Sequence, residues 1–537
     1  MKQVVTVMLT AIAVFVHAQT NPFIQAQKCF GGTKSDEARS IRQTKDGGYI
    51  IAGLASSNNG NVSGNHGGYD AWIVKLRPSG SIEWQKSLGG TVSDYAASIE
   101  QTKEGGYIFA GFSYSNDGDV SGHHGATESA DCWIVKLSAS GSIEWQKSLG
   151  GAQYDEATSI QQTREGGYII AGSSTSNDGD VSGNHGGLDY WLVKLDTSGN
   201  IQWQKSLGGS KQDLAYSVDQ TKDDGYIVAG YSQSNDGDVS GHHGTTKYAD
   251  YWIVKLSASG SIEWQKSLGG AKYDEATSIQ QVKEGGYIIA GSSTSNDGDV
   301  SGNHGGLDYW LVRLSAAGNI QWQKSLGGTN NDAAYSVDQT KDSGCIVAGY
   351  SYSNDGDVSG HHGVLFGDYW IAKIDAAGNI QWQTSLGGTN QEWAHFIIQK
   401  FDGSYVVAGS AASDDGDVTG LHGLVGNSDY WIVQLSSSGN FVSQLPSTAA
   451  AAANSSFNTK NLSFSITVSP NPAHSVLHIS GLVPGINYEL KIMNESGNAV
   501  MSKSIKNISS YDMDVSRLAA GVYYLQAGSN TFRFIKE

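Results

Sequence analysis

The chain has 537 residues, a length that predicts several domains or one large repeat array. Glycine is abundant at 70 residues and proline is scarce at 6, a mixture that suits many tight turns between strands. The formal net charge of −18 argues against nucleic acid as a partner, because binding it requires a basic surface. Cations, basic proteins and neutral glycans fit this charge better.

The first twenty residues, MKQVVTVMLTAIAVFVHAQT, have the features of a secretory signal peptide. Lys2 supplies the positive charge, residues 4–16 are mostly apolar, and small Ala18 precedes the predicted cleavage point between Ala18 and Gln19. The apolar run is too short to cross a membrane, and no later stretch qualifies. We therefore expect an exported protein without a transmembrane segment.

A repeat begins shortly after this segment. The string WQKSLGG or a close variant recurs from Trp84 to Trp382, and a degenerate copy, AQKCFGG, begins at Ala26. The seven starts are 58 to 61 residues apart, a period typical of stacked or radially arranged β-units. Each unit contains four runs rich in β-branched and aromatic residues, which we name strands a, b, c and d. Short turns join a to b and c to d.

These patterns predict an all-β fold in which residues 19–445 form a seven-bladed β-propeller of four-stranded blades. An elongated stack of β-units is the alternative. The ring is favoured because the last unit has a poor strand d, while the run from Ile24 to Phe30 is a strand d that precedes any strand a. Pairing of this N-terminal run with the last blade would close the ring and remove a free sheet edge.

Variation in length is confined to the loop between strands b and c. The loop histidine and the aspartate before strand c are 4 residues apart at His66 and Asp70, but 7 apart at His124 and Asp131. In an up-and-down blade this loop shares one face with the d–a loop, which carries an acidic residue in every unit. Variable loops on a rigid scaffold often bind ligands, so we predict that this "loop face" contacts a glycan or a protein. The acidic residues of the d–a loop are Asp36, Asp94, Asp155, Asp213, Asp274, Asp332 and Glu392.

The b–c loop repeats the string SNDGDVSG, followed by one or two histidines. Asn, Asp and Gly in this order favour a turn in which side-chain oxygens accept hydrogen bonds from the loop backbone. Calcium is the alternative ligand, but the EF-hand pattern is absent and the first unit has the uncharged Asn59-Gly60-Asn61. We expect the repeated histidine to pack or hydrogen-bond within the loop, and we predict no cofactor. The candidate binding-face residues are Asp117, Asp119, His124, Asp178, Asp180, His185, Asp236, Asp238, His243, Asp297, Asp299, His304, Asp355, Asp357 and His362.

Tryptophan and cysteine are both interpreted as structural. Thirteen of the 14 tryptophans occupy two repeat positions, one in strand c and one in strand d, which predicts a core between blades. Cys29, Cys132 and Cys345 each replace a Ser or Tyr of other units. Their odd number and unrelated positions predict free cysteines and no disulfide framework.

An enzyme needs an acid and a base in different environments, which a sevenfold repeat does not supply. The least regular place is the seventh unit, where Glu392 and His395 are the catalytic candidates for a glycosidase. Drift in the closing blade is the simpler interpretation. The sequence contains no nucleophile elbow, phosphate-binding glycine loop or zincin motif. It therefore favours a non-catalytic binding or adhesion module, with a glycan-active hydrolase as the alternative.

The composition changes after the seventh unit. An Ala/Ser-rich segment, residues 446–462, predicts a linker to a second domain over residues 463–537. That domain contains the strings SPNPA, IMNESGNAV, LAAGVYYLQ and the basic end FRFIKE. It resembles the type A C-terminal sorting domain of the type IX secretion system of Bacteroidetes. The residues that carry the resemblance are Pro470, Asn471, Pro472, Ala473, Gly497, Gly521, Tyr523 and Lys536.

The resemblance implies a small β-sandwich that the secretion machinery recognises. In that family the domain is usually removed at the outer membrane, which leaves the cargo secreted or attached to the cell surface. The seven units also look like the propeller repeats common in such exported proteins. Some of those relatives carry an endoglucanase label, but nothing in the residues of this chain supports a cellulase mechanism.

Overall fold

The computed structural model describes residues 24–437, 467–469, 475–480, 487–494, 499–506, 510–527 and 530–536. The chain divides into two compact units, Met1–Gly439 and Asn440–Glu537. In the described ranges all regular structure is β-strand, and every pair of neighbouring strands in the sheets is antiparallel. The predicted signal peptide, with Ala18 and Gln19, and the predicted linker lie outside the described residues.

The first unit is a ring of seven four-stranded sheets, so the predicted seven-bladed β-propeller is confirmed. Strand a of each blade is half-buried and lines the axis, as its small Ala and Ser residues require. The a-strands are β2 (Asp36–Gln43), β6 (Asp94–Gln101), β10 (Asp155–Gln162), β14 (Asp213–Gln220), β18 (Asp274–Gln281), β22 (Asp332–Gln339) and β26 (Glu392–Gln399).

Strands b and c are the central strands of each blade and are almost entirely buried, because neighbouring blades cover both of their faces. The b-strands are β3 (Tyr49–Ala55), β7 (Tyr107–Ser113), β11 (Tyr168–Ser174), β15 (Tyr226–Ser232), β19 (Tyr287–Ser293), β23 (Cys345–Ser351) and β27 (Tyr405–Ala411). The c-strands are β4 (Asp70–Leu76), β8 (Asp131–Leu137), β12 (Asp189–Leu195), β16 (Asp250–Leu256), β20 (Asp308–Leu314), β24 (Asp368–Ile374) and β28 (Asp429–Leu435).

The outermost strand d of the seventh blade comes from the N-terminus. The strand β1 (Ile24–Phe30) pairs antiparallel with β28, with Phe30 opposite Tyr430, and so completes the sheet β1-β28-β27-β26. The predicted ring closure is therefore confirmed. The other d-strands are β5 (Ile82–Leu88), β9 (Ile143–Leu149), β13 (Ile201–Leu207), β17 (Ile262–Leu268), β21 (Ile320–Leu326) and β25 (Ile380–Leu386).

Each joint between blades has its own hydrophobic core. In the joint between blades 1 and 2, Ile50 and Ile73 pack with Trp133, and the equivalent clusters recur around the ring. All seven strand-c tryptophans are buried, in agreement with their predicted structural role. At five joints a strand-c tyrosine also donates to a tryptophan carbonyl of the next blade, as in the 2.8 Å bond from Tyr190 Oη to Trp252 O.

On the face opposite the loops, the last residue of strand a forms hydrogen bonds that link neighbouring blades. Gln101 Oε1 accepts a 2.8 Å bond from the Lys45 N–H of the preceding blade, and equivalent bonds follow around the ring. The Phe401 N–H closes the series by donating to Gln43 Oε1 at 3.3 Å. This face carries only short turns, whose backbone is engaged between blades.

The second unit consists of two sheets that share one core. The first contains β29 (Thr467–Ser469), β30 (Val476–Ser480) and β33 (Ser510–Asp514); the second contains β31 (Asn487–Asn494), β32 (Ala499–Lys506), β34 (Gly521–Ala527) and β35 (Asn530–Lys536). Leu477 and Met513 of the first sheet pack with Leu490 and Leu525 of the second. This arrangement is the small β-sandwich implied by the sorting-domain resemblance.

The three cysteines are free and buried, as predicted. Cys29 lies in β1, Cys132 in β8 and Cys345 in β23. Burial raises the pKa of the Cys29 thiol to about 12, and nearby carboxylates add to that effect. The thiols therefore stay protonated and pack as small apolar side chains.

Candidate functional site

The SNDGDVSG loop folds back onto the d–a connection of its own blade. Asp117 Oδ1 accepts a 2.8 Å bond from the Thr91 N–H, and Asp119 Oδ2 accepts a 3.3 Å bond from the Gly89 N–H. Gly118 between them has a φ of 63°, a conformation that favours glycine. The equivalent aspartates of blades 3 to 7 make the same contacts. The backbone N–H of Thr91 also lowers the pKa of the Asp117 carboxyl.

Blade 1 shows which property of these side chains matters. Asn59 Oδ1 accepts a 2.8 Å bond from the Thr33 N–H, and Asn61 Oδ1 accepts one of 3.3 Å from the Gly31 N–H. An uncharged amide therefore replaces each aspartate without loss of the contact, so the loop requires an acceptor oxygen rather than a charge. Within the described residues, no group of three or more His, Cys, Asp or Glu side chains could hold a metal ion.

The repeated histidine links the loop to strand c and reaches the next blade. His124 Nδ1 is 2.8 Å from Asp131 Oδ2, which also accepts a 2.7 Å bond from the His124 N–H. Its Nε2 is 3.8 Å from Asp180 Oδ2 of blade 3. The same two contacts recur at His185, His243, His304 and His362. The candidate aspartates and histidines thus bond to each other and to the loop backbone.

The acidic residues of the d–a loop are not on the surface, which corrects one expectation. Each is the first residue of strand a and is fully buried. Asp94 accepts a 2.7 Å bond from the Gly90 N–H and bonds to the hydroxyls of Ser113 and Ser115. A short serine-rich turn forms a pocket around each carboxyl, so these groups hold the joint together and cannot contact a ligand.

Two buried carboxyl groups meet at every joint. Burial and the charge of Asp213 in the next blade, opposed by bonds from His185, raise the pKa of Asp189 to about 6. One residue with a pKa of about 6 occurs at each of the seven joints. These residues are Asp70, Asp155, Asp189, Asp274, Asp332, Asp368 and Asp429.

The two catalytic candidates of blade 7 differ in their surroundings. Glu392 occupies the buried position of the strand-a aspartates and accepts bonds from the N–H groups of Gly388 at 2.9 Å and Ser413 at 3.0 Å. Burial raises its pKa to about 7. His395 lines the axial cavity, and burial lowers its pKa well below the usual range, with Arg39 adding to the effect. Glu392 therefore belongs to a blade joint, and His395 faces the axis.

An axial cavity of about 720 Å³ runs between the a-strands. Near the face opposite the loops, its charged side chains are engaged: Glu100 accepts a 2.9 Å bond from the Gln162 N–H, and Asp219 accepts one of 2.8 Å from the Gln281 N–H. Arg42 lies over the Phe396 ring at 4.2 Å. This end of the cavity is held by bonds between blades.

The loop-face end of the axis carries aromatic clusters that the sequence did not predict. Each lies where an even-numbered blade meets the next odd-numbered blade. Phe112 and Tyr154 have ring centroids 6.3 Å apart, and Tyr231 and Tyr273 are 6.2 Å apart. At blades 6 and 7, Tyr350 stacks on Trp393 at 5.5 Å. The rings are partly exposed, so the loop face has an aromatic rim around its axis.

The variable insertions of blades 6 and 7 expose apolar side chains on the same face. Val364 and Leu365 in blade 6 are 90% and 75% exposed, and Leu424 and Val425 in blade 7 are 78% and 60% exposed. The insertions of blades 2 and 4 are the polar ATES and the mixed TTKY. The loop face is therefore asymmetric, with its most apolar sector at blades 6 and 7.

The sorting-motif residues are only partly described. Gly521 and Tyr523 lie in β34, where Tyr523 Oη donates a 3.1 Å bond to Ala519 O. Lys536 lies in β35 and is buried. Pro470, Asn471, Pro472, Ala473 and Gly497 lie outside the described residues.

One curated relative and several solved structures resemble the chain. The regulatory protein FlaEY of Caulobacter vibrioides is 22% identical over 395 residues, which cover 66% of this chain but only 41% of that protein. The WD40 domain of Neurospora crassa Pan2 has a TM-score of 0.40 at 10% identity and covers 78% of this chain and 96% of its own. A Bacteroides vulgatus protein of the DUF4221 family has a TM-score of 0.31 at 10% identity and covers 62% of this chain and 92% of its own.

Residues 467–537 match the family model of the secretion system C-terminal sorting domain. In the described ranges no helix is long and apolar enough to cross a membrane. The match covers the β-sandwich and agrees with the resemblance seen in the sequence, which placed the start of this domain at residue 463. The chain is therefore a seven-bladed β-propeller protein that ends in a type IX secretion system C-terminal sorting domain, a signal for secretion or export to the cell surface.

Proposed function

We propose that the mature protein is a secreted or cell-surface binding module and that the loop face of the propeller makes the ligand contact. The observation that carries this proposal is the difference between the two faces. The opposite face is a closed set of short turns, whereas the loop face combines variable insertions, exposed apolar side chains and a rim of half-buried aromatic rings. Exposed apolar and aromatic groups collected on one face of a rigid scaffold are typical of an interaction surface.

The export signal supports this role. A chain sent out of the cell acts on material outside it, and its repeat supplies a broad, rigid surface without evident catalytic groups among the repeated residues. The repeated aspartates and histidines of the b–c loops stabilise that surface by bonding to each other and to the backbone. The ligand would then contact the insertions and the axial rim.

A loop exchange tests the proposal. Residues Val364–Gly367 of blade 6 can be replaced by the Gly306-Leu307 pair that links the same positions in blade 5, with the matching change in blade 7. Retention of purified protein is measured on insoluble polysaccharides, mucin and bacterial envelopes. We expect the exchange to abolish retention on whichever surface the native protein binds.

Phe401→Lys is the matched control for this exchange. Phe401 is 77% exposed on the opposite face, and other blades have Lys or Arg at this position, so the change removes an exposed apolar group without touching the loop face. If Phe401→Lys abolished retention and the loop exchange did not, the ligand contact would lie on the face opposite the loops, and the proposal would be wrong. A native protein that binds none of the surfaces would also count against the proposal.

A further inference from the structure

Blades 6 and 7 together bring an uncharged cluster of five rings to the axial rim. Tyr335 lies 5.7 Å from Tyr350 and 5.2 Å from His395, measured between ring centroids. Tyr350 lies 5.4 Å from Tyr352 and stacks on Trp393 at 5.5 Å. These five residues, which we name the blade 6–7 cluster, contain the one tryptophan of the chain that is outside the two repeated positions.

The equivalent aromatic clusters at the other two joints differ from this one at the position of Trp393. In blades 3 and 5 a glutamate stands at the position of Trp393, and it accepts a hydrogen bond from a neighbouring tyrosine. Tyr154 Oη donates to Glu156 at 2.8 Å, and Tyr273 Oη donates to Glu275 at 2.7 Å. Replacement of this glutamate by Trp393 removes the charge and adds a large ring. Burial also keeps His395 neutral, since it lowers the pKa of the imidazole well below its usual range.

The cluster also has unused polar atoms. Trp393 Nε1 and His395 Nε2 are buried and have no hydrogen-bond partner among the described residues. The His395 side chain is more than nine-tenths buried and lines the axial cavity, as Tyr335 does. Buried polar atoms are nearly always bonded, so the unpaired His395 Nε2 next to the cavity indicates a bonding partner that the protein itself does not supply.

We propose that the blade 6–7 cluster binds a neutral glycan at the loop-face mouth of the axial cavity. This inference rests on the proposed function and names its ligand class. Aromatic rings pack against the C–H faces of a sugar, while sugar hydroxyls pair with nearby donors and acceptors such as Trp393 Nε1 and His395 Nε2. A neutral ligand fits because the five members carry no charge, and Arg39, whose charge acts on His395, is paired with Glu37 at 2.7 Å.

The insertion of blade 6 extends the same surface. A Cβ atom added to Gly367 would lie 3.1 Å from the Tyr352 ring, so the chain that follows Phe366 runs directly beside the cluster. Val364, Leu365 and Phe366, the three residues before Gly367, are exposed and give this insertion an apolar wall. A glycan chain longer than one sugar would contact this wall as it leaves the mouth.

The quasi-symmetry of the ring supplies the test variants. Trp393→Leu introduces the residue that blade 4 has at this position, Leu214, and Tyr350→Ser introduces the residue of blade 5, Ser292. Tyr231→Ser is the matched control, because it makes the same change in blade 4, away from the cluster. Each substituted residue already occupies the equivalent site of a folded blade. Circular dichroism and the melting temperature check the fold of each variant.

Binding of the purified full chain is measured by titration calorimetry with cello-, xylo-, manno- and laminari-pentaose. An oligogalacturonate serves as the anionic probe and a proline-rich peptide as the protein-like probe. We expect binding of at least one neutral pentasaccharide, weakened about tenfold or more by Trp393→Leu and by Tyr350→Ser and changed less than about twofold by Tyr231→Ser.

Three results would overturn the inference. The first is neutral-glycan binding that is unchanged in both cluster variants, and the second is preference for the anionic probe or the peptide. The third is native protein that binds none of the pentasaccharides. None of these results bears on the proposed function, because the loop exchange tests that proposal separately. Should Trp393→Leu fail to fold, Tyr350→Ser alone decides the question.

Discussion

The propeller should become more stable as the pH falls from 8 to 5, contrary to the usual effect of acid on proteins. The reason is the pair of buried carboxyl groups at each joint. Asp189 has a pKa of about 6, against an ordinary value of 3.8, because burial and the charge of Asp213 disfavour its ionised form. A raised folded-state pKa contributes stability that is complete below the unfolded-state value and is lost as the pH rises through the folded-state value.

The magnitude follows from the pKa difference. Each pKa unit corresponds to about 1.36 kcal/mol, so full ionisation of one such carboxyl costs about 3 kcal/mol. As the pH falls from 8 to 5, protonation of this carboxyl stabilises the folded state by about 1.4 kcal/mol per joint. Seven independent joints would give roughly 10 kcal/mol, and we halve this to about 5 kcal/mol for coupling, for local relaxation and for the imidazoles of His361 and His395, whose lowered pKa values favour the unfolded chain as the pH falls. With an unfolding entropy of about 0.9 kcal/mol/K for roughly 400 residues, the melting temperature should rise by about 5 °C.

Differential scanning calorimetry of the purified protein at constant ionic strength measures this rise. Asp189→Asn removes one charge from one joint, so the rise in melting temperature between pH 8 and pH 5 should be about one seventh smaller. Glu128→Gln, an exposed residue of a b–c insertion, is the control and should leave the slope unchanged. A melting temperature that is flat or falls between pH 8 and pH 5 would show that the joint carboxyls are not protonated in this range, and the reasoning would fail.

Three further predictions concern the closure, the packing and the catalytic alternative. Deletion of β1 should lower the melting temperature by roughly 5 °C or more and promote aggregation in light scattering, because it uncovers the edge of β28 and removes Phe30 from the core between blades 7 and 1. Gly172→Ala should destabilise by about 1–3 kcal/mol in urea unfolding, because the added methyl would overlap the Glu156 carbonyl, whereas Ser173→Ala should have little effect. Glu392→Gln should leave any polysaccharide hydrolysis by the purified protein unchanged; loss of turnover would instead support the hydrolase alternative.

The sequence predicted the scaffold well because the scaffold is periodic. Equal spacing and four strand-like runs per unit predicted the number of blades. A strand d that precedes any strand a predicted the closure of the ring. The acidic residues of the d–a segment were misplaced on the surface for a specific reason. Asp94 follows glycine-rich loop sequence, and nothing in the local pattern indicates that Ser113 and Ser115, about twenty residues later, bury its carboxyl.

The aromatic rim could not be predicted from any single repeat position. Its members come from strand a or strand b or from the residues next to them, and the position that is aromatic differs from blade to blade, so no position is aromatic throughout. Tyr350 and Trp393 are 43 residues apart, and only the ring topology brings them together. One signal was available: of the 14 tryptophans, Trp393 alone is outside both repeated positions.

The strand that carries the proposed glycan site shows how a repeat can acquire one special joint without losing its fold. In β26 three residues keep the chemistry of the repeat: Glu392 replaces an aspartate, Ala394 is retained, and Ile397 stays in the core. The residues that face the axis, Trp393 and His395, have diverged. Because side chains alternate along a strand, the two sets point in different directions and can change independently. Phe396 also departs from the repeat: it replaces a serine whose hydroxyl accepts a hydrogen bond from the next blade elsewhere in the ring, so the change in β26 extends from the axis into the joint with blade 1.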